Sequence, residues 1–172
     1  VIRFPKTKIF FFSQKMPQVI FSTDDSSTIV YLFSNINDGK LDTRIAIQDF
    51  VAKQPLNCMK PLTVHWNKSD SHIFNVIACS TKRIGVDIEW MKDRPFEKIS
   101  RRYFHTHEVT DNKEVFYDLW CKKEAYAKWK KDKIALNMQT EFHGSRFIPL
   151  TDLPNNCVGY LCTWQCVETL IQ

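Results

Sequence analysis

The sequence predicts an α+β fold, and three observations carry that expectation. Short runs rich in β-branched and aromatic residues recur along the chain, apolar positions repeat at helical spacing in three longer stretches, and hairpin-length gaps outnumber crossovers. Strands are expected at Ile9–Phe12, Val19–Phe21, Ile29–Phe33, Ile73–Cys79, Ile84–Trp90, Phe142–Pro149 and Tyr160–Trp164. The first helix is expected over "LDTRIAIQDFVAKQ", where Ile45, Asp49, Phe50 and Ala52 recur behind an Asp42/Thr43 start. A second, "FEKISRRYF", follows Pro95, a residue suited to a first helical turn. The third and longest runs from about Lys113 to Lys131. Polar residues clustered with Pro or Gly place loops at Asn35–Lys40, Lys53–Pro61, Asn67–Ser71, His105–Asn112 and Asp152–Asn156.

A chain of 172 residues fits one domain, or two small lobes sharing a core. With 44% hydrophobic residues and 13 Phe it has the material for that core, and 4 Gly, 7 Pro and no low-complexity tract exclude a disordered class. The net charge of +5 is spread without a dense lysine run, which disfavours nucleic acid and reads either as a solvated basic surface or as suited to an acidic or phosphate-bearing partner. Six cysteines show neither a CxxC nor a zinc-finger spacing and read as free cytoplasmic thiols. The apolar run Ile9–Phe12 is broken by Ser13, Gln14 and Lys15, too soon for a signal-peptide core or a membrane span. A cytoplasmic protein with no membrane association is therefore expected.

The chemistry concentrates in two stretches. In "RIGVDIEW", strand alternation puts Ile84, Val86 and Ile88 on one face and Asp87 with Glu89 on the other. Two neighbouring acids repel, a cost that a hard divalent cation removes; for one such pair alone a solvated edge strand is the commoner explanation. In "FYDLWCKKEAYAKW", helical spacing lines up Trp120, Lys123, Glu124, Ala127 and Lys128, with Trp120 as the expected core anchor. Glu124 and Lys128, one turn apart, read either as a surface ion pair or as a third carboxylate and a cation for a metal-bridged diphosphate.

"GVDIE" followed by "WCKKEAYAK" resembles the double signature of the 4′-phosphopantetheinyl transferases. Between them, "RRYFHTHE" is similar to that family's Arg-x-Phe-(Ser/Thr)-x-x-Glu stretch, with His105 in the hydroxyl position. Upstream, Lys60–Pro61 and "WNKSDS" (Trp66–Ser71) resemble the longer, surfactin-type subclass. The resemblance covers residues 60 to 136 and leaves the first 40 poorly matched.

The resemblance implies transfer of the phosphopantetheine arm of coenzyme A to a serine of an apo acyl or peptidyl carrier protein, an acidic partner, with release of adenosine 3′,5′-bisphosphate. It implies Mg²⁺, or Mn²⁺, held by Asp87, Glu89 and Glu124. Glu124, directly or through water, would accept the serine proton, and Lys128 would neutralise the leaving bisphosphate; Lys123 and Lys128 would contact phosphate. Lys60 and Ser69, with Arg44 as a looser match, would meet the 3′-phosphate and adenine end. Asp70 stands where the subclass carries His, which implies a weaker grip on the 3′-phosphate unless His72 or His65 serves instead. The implied architecture is a monomer of two pseudo-symmetric α/β lobes, residues 1–82 and 83–172, with the active site in the cleft between them.

Two other classes compete on the residues alone. A Mg²⁺-dependent nuclease also uses strand acids with a Glu and a Lys, although there the Glu-x-Lys usually lies on a strand. A non-catalytic module binding coenzyme A or a carrier protein would keep the surface and lose the turnover.

Overall fold

The computed structural model describes residues 17–24, 27–34, 39–54, 62–132, 138–139 and 141–164. Its elements in chain order are β1 (Gln18–Ser22), β2 (Thr28–Ser34), α1 (Gly39–Ala52), β3 (His65–Ser71), β4 (Phe74–Ser80), β5 (Ile84–Trp90), α2 (Phe96–Tyr103), a 3₁₀ turn (Thr106–Glu108), α3 (Lys113–Lys130), β6 (Ser145–Pro149) and β7 (Cys157–Trp164). The strands form two antiparallel sheets, β1-β2-β4-β3 and β5-β7-β6. The α+β expectation therefore stands.

Alternation along β2 and β4 explains the layering. Ile29, Tyr31, Phe33, Ile77 and Cys79 face one way and pack on Ala46 and Phe50 of α1. Val30, Leu32, Val76 and Ala78 face the other way and share a core with Ile84, Val86 and Ile88 of β5 and Leu161 of β7. The opposite face of the second sheet is covered by α3, where Ala125, Tyr126 and Trp129 meet Cys162. Burying an aliphatic side chain of this kind stabilises by roughly 1.5–3 kcal/mol, so the shared core ties the two sheets into one unit.

Several boundaries differ from expectation. The stretch expected as a loop, Asn67–Ser71, lies in β3, because its alternating side chains turn towards β5. Ile73 belongs to the two-residue turn after β3, with His72 at φ 57, so β4 starts at Phe74. Helix α1 begins at Gly39 inside the expected loop, and the loop His105–Asn112 contains the 3₁₀ turn. Strand β6 starts at Ser145 rather than Phe142, and β7 at Cys157 rather than Tyr160. The expected strand Ile9–Phe12 and residue Lys60 lie outside the described residues. Among the described residues, no helix is long and apolar enough to cross a membrane, and Cys79, Cys121, Cys157 and Cys162 are free thiols.

Candidate active site

Strand β5 and helix α3 meet at Gly85, where the strand backbone lies directly against the helix backbone at Ala125 and Trp129. A side chain there would hold the two apart, so glycine sets how closely the acids of β5 approach α3. Helix α3 starts on Asn112, whose side-chain oxygen accepts the Val115 N–H at 2.9 Å. It ends on Lys131 in the left-handed conformation, φ 59.

This junction buries Asp87, which is 1% exposed, so the solvated-edge explanation of the strand acids fails. Lys128 Nζ donates to Asp87 Oδ1 at 2.7 Å and to the Val86 carbonyl at 3.2 Å. The surface-pair alternative for Glu124 and Lys128 is thereby replaced by a contact across elements. Ser69 Oγ donates to the same Asp87 Oδ1, also at 2.7 Å, while Oδ2 is buried without a hydrogen-bond partner. Glu89 Oε2 accepts from Ser71 Oγ at 3.3 Å.

Glu89 and Glu124 both sense Asp87. Burial, reinforced by the charges of Asp87 and Glu89 and opposed by Lys128 and a hydrogen bond from Trp120, pushes the Glu124 carboxyl up to about 7. Burial and Asp87 also raise Glu89, against Arg94 and hydrogen bonds from Ser71 and Trp120. Trp120 thus serves both acids as well as the aromatic cluster of Tyr103, Phe104 and Phe116, where its nearest ring centroid lies 5.6 Å away. Burial and the adjacent Asp87 push the Cys121 thiol far up, so no thiolate nucleophile is offered here.

Among the described residues, no group of three or more His, Cys, Asp or Glu side chains is gathered so as to hold a metal ion. The donor set nonetheless has the chemistry a hard divalent cation takes: it is all carboxylate, Asp87 disfavours the charged forms of Glu89 and Glu124, and Asp87 Oδ2 is buried without a hydrogen bond. In donor chemistry, though not as a gathered cluster, these residues fit such an ion.

The remaining expected site residues lie elsewhere. Lys123 is 1% exposed and donates to Glu108 Oε2 at 2.8 Å, with the Phe104 and Phe142 rings beside it. It is not brought to Asp87 or Glu89. Arg44 is exposed on α1, which covers the far face of the first sheet. Asp70 is exposed and alternates away from Ser69 and Ser71, whereas the His72 ring rests 4.8 Å from that of Trp90. A cavity of about 500 Å³ lined by Lys82, Arg83, Trp129, Lys130, Asp132 and Trp164 sits at the opposite end of β5 from Glu89.

Sequence reasoning missed Asn67, Ser71 and Glu108. The first two were signalled by the polar alternation of "WNKSDS", and Glu108 by its place as the closing Glu of the "RRYFHTHE" stretch; its side chain also accepts the His105 N–H at 3.0 Å. Because Lys123 has so little access to water, Glu108→Ala is expected to lower stability by about 3–5 kcal/mol, the cost of an uncompensated buried charge. A urea midpoint unchanged from wild type would show that water reaches Lys123.

The acids and Lys128 all lie between β5 and β7, whereas Arg44, Lys60 and Ser69 precede that segment. No curated protein matches the chain. Residues 83–164, a little under half of the chain, match the 4′-phosphopantetheinyl transferase superfamily, and that match supports a phosphopantetheinyl transferase.

Proposed function

We propose that the protein transfers the 4′-phosphopantetheine arm of coenzyme A to a serine of an apo acyl or peptidyl carrier protein, with Mg²⁺, releasing adenosine 3′,5′-bisphosphate. The observation that carries this reading is the buried union of β5 with α3 through Asp87 and Lys128, inside the segment that matches the superfamily. Asp87, Glu89 and Glu124 would hold the ion, which when bound supplies charge neutralisation to the diphosphate. Glu124, perturbed towards neutrality, suits accepting the proton of the incoming serine, directly or through water. Lys128, only 20% exposed, would supply positive charge where the bisphosphate departs. The nucleophile comes from the carrier, consistent with a site whose own cysteine is held protonated.

Finer features of the reading follow the resemblance. The chain would belong to the surfactin-type subclass, acting as a cytoplasmic monomer with lobes 1–82 and 83–172 and coenzyme A in the cleft between them. Arg44 and Lys60 would contact the 3′-phosphate end. Ser69, bonded to Asp87, would act at the acid side of the donor rather than at its adenine, and Lys123, bonded to Glu108, would brace α3.

The test is the intact mass of apo carrier proteins of both acyl and peptidyl type after incubation with the protein, coenzyme A and Mg²⁺. We expect a gain of one phosphopantetheine that EDTA abolishes. No gain on any carrier would overturn the assignment, and a gain that persists in EDTA would remove the metal from it.

A further inference from the structure

Two of the three acids of the candidate site, Asp87 and Glu89, belong to one sheet, yet the serines that hold them belong to the other. Strands β3 and β5 are edge strands of their respective sheets. They run side by side and are joined through side chains: Asn67 Oδ1 accepts the Val86 N–H at 3.1 Å, Ser69 donates to Asp87, and Ser71 Oγ accepts the Trp90 N–H at 2.9 Å while facing Glu89. Asn67, Ser69 and Ser71 form one face of β3, with Trp66, Lys68 and Asp70 exposed on the other. The first rung of this seam serves backbone alone. The other two reach carboxylates.

A serine hydroxyl has a single proton to donate. Ser69 gives it to Asp87 Oδ1, the same oxygen that Lys128 holds, while the Cys121 thiol lies against the same carboxylate. Both side chains are buried, at 7% and 1% exposure, so water does not substitute for the hydroxyl. Ser71 is fixed by the Trp90 N–H, so its proton turns to Glu89 Oε2.

We infer that Ser69 and Ser71 are positioning residues, set by the first sheet, that fix the carboxylates of Asp87 and Glu89 in the orientation from which they would hold a divalent cation. This rests on the proposed metal role of the acids. It also gives the segment before residue 83, which lies outside the superfamily match, a defined part in the site. Partners that orient ligating carboxylates typically govern metal affinity by about 10–100-fold.

The experiment measures Mn²⁺ binding by electron paramagnetic resonance of the free ion, with coenzyme A absent and saturating, in wild type, Ser69→Ala, Ser69→Thr, Ser71→Ala and Asn67→Ala, with the melting temperature of each. We expect Ser69→Ala to weaken Mn²⁺ by about tenfold or more and Ser69→Thr, which keeps the hydroxyl, to retain most of the affinity. Asn67→Ala should lower the melting temperature and leave Mn²⁺ binding unchanged. Should Ser69→Ala fail to fold, weakened binding in folded Ser71→Ala carries the same conclusion. Unchanged binding in both serine variants, or an equal loss in Asn67→Ala, would overturn the inference and leave a purely structural seam. Wild type that binds no Mn²⁺ under either condition would sink the metal reading itself, and this inference with it.

Discussion

Glu124→Gln is expected to reduce kcat/KM for phosphopantetheine transfer by about 10³-fold, in line with loss of one preorganised electrostatic group or general base. The substitution preserves shape and the capacity to accept from Trp120 while deleting the charge that Asp87 and Glu89 oppose. Its sign in stability is the reverse of its sign in activity. The folded protein holds the Glu124 carboxyl at about 7, above its ordinary value of 4.5, because burial and neighbouring acids disfavour the charged form. Between these two values the folded chain binds more protons than the unfolded chain. The stability contributed by this group is therefore full below pH 4.5 and is lost as pH rises to 7. Metal-free wild type should lose melting temperature over that interval, Glu124→Gln should lose less, and Mg²⁺ should restore wild type more at pH 8 than at pH 5. In turnover, bound Mg²⁺ favours the Glu124 carboxylate, so the acid limb of wild-type kcat/KM should lie below pH 7 and move down as Mg²⁺ is raised. A variant that retains full activity would eliminate Glu124 as base and ligand alike.

The second large effect is on the fold. A Cβ on residue 85 would lie 2.5 Å from the Trp129 nitrogen, 3.0 Å from its Cα and closer still to the Ala125 carbonyl oxygen, all of them helix backbone. No side-chain rotation relieves such a clash, so β5 and α3 must separate. Gly85→Ala is expected to cost about 3 kcal/mol or more, a large part of a typical 5–15 kcal/mol stability. It should also break the Lys128 to Asp87 contact and with it activity. Gly144→Ala is the control: the added Cβ would meet only the Trp164 ring at 3.8 Å, and the cost is confined to φ +66, about 1–2 kcal/mol. Urea midpoints of the two variants decide between them, and equal midpoints would show that strand and helix can part at low cost.

Much of this site was legible before any coordinates. Two acids of opposite pleat to Val86 and Ile88, and a Glu and a Lys one turn apart behind Trp120, follow from the periods of strand and helix alone. The motifs they make carried the family resemblance, and the superfamily match falls on the same segment. What alternation cannot show is the partner on the other side of a face. Lys128 was placed beside Glu124 by helical spacing, yet its ammonium reaches across to Asp87, because Gly85 draws the strand against that face of the helix. Lys123, three residues from Trp120, goes instead to Glu108, which only the packing of the 3₁₀ turn brings near.

Strand β3 is the clearest case. The sequence determined the alternation of apolar and acidic side chains over 84–90, the helix that bears Glu124, and the identity of the acids. Only the tertiary structure decided that Asn67–Ser71 is a strand, because strand patterning is recognised by an apolar inner face, and this strand's inner face is Asn67, Ser69 and Ser71. Those residues are polar because they meet the unpaired edge of β5 and its two carboxylates, whose hydrogen-bonding capacity must be satisfied where water is excluded.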